Sequence, residues 1–266
     1  MTELLTFENV HLWVHHPQLG RQQLLHDVDW RVRAGERWAL LGRNGAGKST
    51  VLSLAGALRH PSAGAVRVLG RQLGQVDVRT LRATVGTVNP QQRIPDELTV
   101  GEYVLTGATG TVQLVPGKLT PDDEKRAAEV ITHTGLDALA ERPIGVCSQG
   151  ERARARLARA LVPSPPLLLL DEPTAALDLP AREELLAALD TLAAESPDLA
   201  LVMVSHHVEE LPGSTSHAML LRGGRVARAG HVSDTLTSEH LSAAFGFPLS
   251  VTRAGGRWQA SGTHHG

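Results

Sequence analysis

The sequence predicts an α/β fold, a mostly parallel sheet covered on both faces, with an N-terminal antiparallel β part and an inserted helical lobe. Three observations lead there. The apolar run Trp38-Ala39-Leu40-Leu41 feeds a glycine-rich loop, Gly42-Arg43-Asn44-Gly45-Ala46-Gly47-Lys48-Ser49-Thr50, which leads into a helical stretch from Thr50 to Ala55. A second aliphatic run, Leu167 to Leu170, stops at the acid pair Asp171-Glu172. After residue 163 strands alternate with helices, the order that lays parallel strands side by side under helices.

Each element has its own signal. Residues 4–14 and 24–33 alternate apolar and polar side chains, the period of antiparallel strands. Gly35-Glu36 is a turn, and 37–41 a buried strand. The breaker cluster Pro61-Ser62-Ala63-Gly64 precedes a strand at 65–69, and Val85-Gly86-Thr87-Val88 is a short strand stopping at Asn89-Pro90. From about 90 to 162 helical signals dominate. There Thr120-Pro121-Asp122-Asp123-Glu124 opens a helix with a threonine cap, an early proline and first-turn acids, and Gly135 closes it. The Gly- and Thr-rich stretch 106–119 matches no element pattern. Beyond the lobe, 167–170 is a strand, 180–195 an amphipathic helix and 199–205 a strand. Residues 217–222 and 225–229 form a hairpin across Gly223-Gly224, and a tail of short helix and strand follows.

Composition narrows the function classes. The chain has 266 residues, 42% hydrophobic and 20% charged, with a formal net charge of −2. That length suits one domain with a lobe inserted. Without a basic excess, nucleic acid is not expected as a partner. The single cysteine, Cys147, excludes an internal disulfide framework and fits a reducing compartment. Met1-Thr2-Glu3-Leu4-Leu5 lacks the pattern of a secretory signal, and Leu167–Leu170 is far shorter than a membrane span. The pairs His15-His16 and His264-His265 read as solvated polar residues rather than metal ligands.

The chemistry begins at the glycine loop. Strand, glycine loop, Lys-Ser and helix make a phosphate-binding loop, in which inward-turned N–H groups of Gly42, Asn44, Gly45, Ala46 and Gly47 surround phosphate oxygens. The positive end of the following helix, with Thr50 in its first turn, points at them. Lys48 can reach the β- and γ-phosphates, and the Ser49 hydroxyl can hold Mg²⁺. ATP or GTP is the expected ligand. Asp171 and Glu172 stand at the C-terminal end of a buried strand, where open α/β sheets place their ligands. Asp171 can hold the metal, and Glu172 can orient and polarise the attacking water. Ser205-His206 ends another apolar strand, so His206 can sense a γ-phosphate, with His207 the adjacent, less suited candidate. Ser148 caps a helix with Glu151 as its capping-box partner, and the N–H groups near Gln149 and Gly150 make an anion site.

In this order the elements resemble the nucleotide-binding subunits of ABC transporters. The corresponding pieces are Gly42–Thr50, a glutamine loop at Gln91 or Gln92, the signature Cys147-Ser148-Gln149-Gly150-Glu151, Leu167–Glu172, Ala176-Leu177-Asp178 and His206. The resemblance spans about residues 4–250. It implies an ABC-type P-loop NTPase, with one domain over residues 1–255, the lobe at about 90–162 inserted in a RecA-like core, and a tail at 256–266. The signature departs from the family pattern at Cys147, Gln149 and Glu151 but keeps Ser148 and Gly150. Cys147 reads as a small packed hydrophobe. Pro90 stands at the usual glutamine position, so Gln91 and Gln92 both remain candidates for the metal or water. Trp13 is the aromatic nearest the expected adenine-stacking position, one place out of register.

The resemblance further implies ATP with Mg²⁺, hydrolysed with Glu172 and His206 as catalytic residues and with Ser49, Asp171 and Gln91 at the metal. Two copies would meet head to tail, Gly42–Thr50 of one and Ser148–Gly150 of the other enclosing one ATP, with Asp178 also among the nucleotide-binding residues. The expected function is the ATP-hydrolysing subunit of a membrane transporter, docked through its lobe on a separate permease, cytoplasmic and peripheral on the inner face of the membrane. The segment from Gly230 to Trp258 is similar to the short tail of importer-type subunits, including those handling metal chelates. The alternative is a soluble single-domain ATPase of the same type acting in protein or cofactor assembly. A P-loop kinase or GTPase would leave Ser148–Gly150, Asp178 and His206 unexplained.

Overall fold

The computed structural model describes residues 2–115 and 117–263; the pair His264-His265 lies outside the described residues. The chain opens with an antiparallel hairpin, β1 (Glu3–His16) and β2 (Gly20–Arg33). Both strands run past the alternating stretch, because pairs such as Val14↔Gln22 and His15↔Arg21 extend the ladder with little buried surface. Then come β3 (Arg37–Leu41), the glycine loop and α1 (Lys48–Ala55), which starts two residues earlier than the sequence indicated. Next are β4 (Ala63–Val68), β5 (Arg71–Gln72), α2 (Val78–Ala83), capped by the Asp77 carboxylate, and β6 (Val85–Val88).

Three helices follow: α3 (Val100–Thr109), α4 (Pro121–His133) and α5 (Gln149–Leu161). Each starts with a complete capping box, Thr99 with Glu102, Thr120 with Asp123 and Ser148 with Glu151, so side chains satisfy first-turn N–H groups. The stretch without a sequence pattern divides: residues 106–109 finish α3, and Gly110, with φ of 65°, ends it. The chain returns through β7 (Leu167–Asp171), α6 (Leu179–Glu195), β8 (Ala200–Val204), β9 (His217–Arg222) and β10 (Arg225–His231). It closes with α7 (Val232–Thr235), α8 (Ser238–Phe245), β11 (Leu249–Ala254) and β12 (Arg257–Gly262). The tail expected from residue 256 is therefore no separate piece: β12 pairs with β11 along its whole length, Leu249↔Gly262 to Ala254↔Arg257.

The central sheet has six strands in the order β10-β9-β3-β8-β7-β6, parallel except for the β10–β9 hairpin. A four-stranded sheet, β2-β1-β4-β5, is antiparallel throughout. One core lies between the two sheets and α1, where Phe7, Leu25, Leu40, Leu54 and Leu169 meet. A second joins the lobe to α6 and the sheet through Val104, Ile144, Leu157, Leu168 and Leu186, and Cys147 packs in it as the expected small hydrophobe. A third, with Leu41, Val208, Leu241 and Trp258, seats the C-terminal elements on the sheet. The parallel strands β3, β7 and β8 thus end together, and the loops after them carry Gly42–Thr50, Glu172 and His206.

Candidate functional site

Two glycines give the loop its shape. Gly47 has φ of 106°, and a Cβ there would lie 2.9 Å from Leu25 Cδ2. A Cβ on Gly42 would lie 2.3 Å from the Leu221 carbonyl oxygen. Any side chain would push β3 away from β9 or the loop away from β2. Gly47 is also the N-cap of α1 and offers no side-chain acceptor, so the first N–H groups of that helix stay free for an anion.

Lys48 is 5% exposed. Its ammonium donates to the Gly42 carbonyl at 2.7 Å and the Arg43 carbonyl at 3.2 Å. An ammonium has three hydrogens, and the third finds no acceptor among the described residues. Burial pulls the Lys48 pKa below its usual value, while the Glu172 and Asp171 carboxylates pull it back up. A buried cation short of one acceptor, beside free helix N–H groups, fits a polyphosphate. The neighbouring Ser49 Oγ donates to Asp171 Oδ1 at 3.3 Å. Burial, and then the charge on Glu172, raise the Asp171 carboxyl above the usual carboxylate range against the Ser49 hydrogen bond and Lys48. A hydroxyl and a carboxylate are the hard oxygen donors Mg²⁺ prefers.

Glu172 stands one residue beyond β7 with φ of 50°, a left-handed conformation uncommon for a residue with a side chain. Its N–H donates to the Val204 carbonyl at 3.1 Å, holding it against the end of β8. His206 follows β8, and its Nε2 lies 2.9 Å from Glu172 Oε2. The His206 Nδ1 atom is buried with no partner. Sequence reasoning chose both residues separately; the structure joins them. His207 is exposed and stands edge-on to His206, with ring centroids 5.8 Å apart.

A cleft of about 600 Å³ collects Asn44, Gly45, Gly47, Lys48, Ser49, Thr50, Glu172 and His206. A neighbouring cleft of about 580 Å³ holds the other side of Ser49 and Asp171, and both Gln91 and Gln92 line it. Ala46 is buried behind the loop, its carbonyl accepting from Gly224 N–H at 3.0 Å. Sequence reasoning missed Gln23, Leu24, Gly223 and Gly224, which line the first cleft. Gly223-Gly224 was legible as a hairpin turn, but its place beside the loop follows from the pairing of β9 with β3.

Three sets of expected residues lie elsewhere. Trp13 is not part of the first cleft; the Arg21 guanidinium covers its ring at 3.7 Å from the centroid. Ser148 and Gln149 are exposed at the start of α5 and line neither cleft. Asp178 caps α6, accepting from Ala181 N–H at 3.0 Å. Gly150 and Asp178 are neighbours through Ala181: a Cβ on Gly150 would lie 2.6 Å from Ala181 Cβ.

Comparison with known proteins follows this geometry. A family model described as ABC transporter matches residues 25–175. YlmA, an ABC transporter ATP-binding protein of Bacillus subtilis (strain 168), is 36% identical over 233 residues, covering 86% of this chain and 87% of the relative. The hemin import ATP-binding protein HmuV of Streptomyces coelicolor (strain ATCC BAA-471 / A3(2) / M145) is 37% identical over 233 residues, covering 88% and 81%. Among solved structures, a chain of an inward-facing ABC transporter described as of metal-chelate type matches with a TM-score of 0.80 at 25% identity, covering 99% of both chains. The ATP-binding cassette MJ0796, solved as a dimer in a post-hydrolysis state with ADP and Pi, matches with a TM-score of 0.73 at 26% identity, covering 86% of this chain and 98% of that one.

Proposed function

Because the chain belongs to the ABC transporter family, among its ATP-binding subunits, we propose that it hydrolyses ATP between two copies of itself to drive a separate membrane permease. One observation carries this reading. The loop, Lys48, Ser49, Asp171, Glu172 and His206 gather around one pair of clefts, while the start of α5, with Ser148 and Gln149 exposed and Gly150 buried, lies outside them. A second copy, turned head to tail, supplies that helix start to the open side of the loop. The dimeric state of MJ0796 supports the arrangement.

The residues divide the work. The loop N–H groups and Lys48 hold the phosphates. Ser49, Asp171 and Gln91 or Gln92 would hold Mg²⁺, which when bound offsets charge on the phosphate oxygens. Glu172 accepts a hydrogen bond from the attacking water and draws off its proton. His206 holds the Glu172 carboxylate in place and turns its ring toward the γ-phosphate. Ser148 and the N–H groups of Gln149 and Gly150 reach that phosphate from the partner copy, with Asp178 beside them. Hydrolysis removes the bridging charge, and the dimer opens.

Among the described residues no helix is long and apolar enough to cross a membrane; in the proposed complex the permease is a separate chain. The relative HmuV, named as a hemin import ATP-binding protein, supports the transporter reading, in which the chain sits on the inner face of the membrane. Affinity purification from detergent-solubilised membranes tests this. A stoichiometric multi-span partner is expected; recovery of the chain without one would support the soluble assembly ATPase instead.

A further inference from the structure

Among the described residues the His206 imidazole pairs through Nε2 with Glu172 while Nδ1 has no partner, so its position depends heavily on the backbone around it. Upstream, that backbone is the end of β8. Downstream it is a 3-10 turn, Val208–Glu210, too short to hold itself. Two sets of contacts fix it. The buried Ser205 hydroxyl donates to the Glu210 carboxylate and accepts from His207 N–H at 3.0 Å, bracketing His206 from within. The second set comes from the C-terminal hairpin. Arg257 Nη2 donates to the Glu209 carbonyl at 2.7 Å, and Ala260 N–H donates to Glu209 Oε1 at 2.7 Å. Trp258, between them in sequence, packs in the same core as Val208. The other arm of the Arg257 guanidinium reaches Glu183 Oε2 at 3.0 Å, on the helix that Asp178 caps.

We propose that the β11–β12 hairpin is a positioning element for His206, with Arg257 and Glu209 as its positioning residues. One guanidinium ties together the turn after His206, the helix after Asp178 and the end of the chain. The hairpin therefore sets whether the imidazole meets Glu172, and anything that lifts it lowers turnover without removing nucleotide. This rests on the reading of His206 given above.

The test uses the full chain carrying Arg257→Ala, Glu209→Ala or Glu209→Gln, with His206→Ala beside them. The measured quantities are kcat and KM for ATP with Mg²⁺, the affinity for a non-hydrolysable ATP analogue, and the ¹H–¹³C NMR signal of the His206 imidazole. Both alanine variants at Arg257 and Glu209 are expected to lower kcat about tenfold, the size of one lost charge-assisted hydrogen bond, with analogue affinity unchanged. The His206 signal shifts in both. Glu209→Gln recovers most of kcat, because its amide oxygen still accepts from Ala260 N–H. Glu209 is half-buried, so unfolding midpoints are measured for every variant, and Glu209→Gln, which keeps the shape and the Ala260 bond, serves as the folded reference. Unchanged kcat in the alanine variants, or a fall matched by equal loss of analogue affinity with no shift at His206, would overturn the proposal. A fully active His206→Ala would refute the underlying reading of His206. An inactive His206→Ala beside fully active hairpin variants would refute the hairpin's role alone.

Discussion

Glu172 and His206 meet at 2.9 Å across the ends of two parallel strands, and the proposed chemistry depends on that contact. Glu172→Gln keeps the shape and the left-handed backbone but removes the proton acceptor. Hydrolysis is expected to fall at least about a hundredfold while ATP binding persists, the signature of a lost general base; single-turnover assays with radiolabelled ATP read both. Lys48→Ala should do the opposite, weakening nucleotide binding about a hundredfold or more, since it removes the buried cation proposed to hold the phosphates. A fluorescent ATP titration checks this. At this scale residue type and spacing pointed to Gly47, Lys48, Ser49, Asp171 and Glu172, which the structure brings to the two neighbouring clefts. The sequence did not show that Trp13 lies outside the first cleft and under Arg21, where the β1–β2 ladder shifts register between Leu12 and Trp13. Nor did it choose between Gln91 and Gln92, since after Pro90 both sit on the same cleft.

Among the elements, α5 carries two burdens at its start. Ser148 Oγ accepts from Glu151 N–H at 3.2 Å, and Glu151 returns a bond to Ser148 N–H at 2.7 Å. Ser148→Ala should cost about 1 kcal/mol of stability through the lost cap, seen as a lower unfolding midpoint even without nucleotide. Gly150→Val has a different outcome. Its side chain would collide with Ala181 Cβ and drive α5 from α6, displacing the proposed anion site and Asp178 together. A third element-level prediction concerns β3 and β9, where His217 stacks on Trp38 with centroids 4.8 Å apart. Burial holds the His217 pKa below its ordinary 6.5, with Glu36 opposing. The unfolded chain therefore takes up a proton first as pH falls. Stability from this group is complete above about 6.5 and is lost on acidification toward the lower folded value. Chemical denaturation between neutral and mildly acidic pH should show that loss, and His217→Gln should flatten it. The capped helices and aliphatic strands were legible because their signals are local. The ends of β1 and β2 and the β11–β12 hairpin were not, because cross-strand partners set them.

For the whole molecule, the sheet order brings the loops with Gly42–Thr50, Glu172 and His206 to one end and leaves Ser148–Gly150 outside the clefts they line. Motif order along the chain carried the family resemblance, and with it the expectation of a dimer, before any contact was known. The gathering of the loop with Gly223-Gly224 and the tie between Arg257 and the turn after His206 join residues far apart in sequence. No single-chain pattern announces such contacts. The claim that binds these scales is that each nucleotide is enclosed by two copies. Sedimentation of Glu172→Gln with saturating ATP and Mg²⁺, alone and combined with Ser148→Arg, tests it most directly. A dimer for the single variant and a monomer for the double variant are the expected masses. A dimer in both, or a monomer in both, would contradict the shared site.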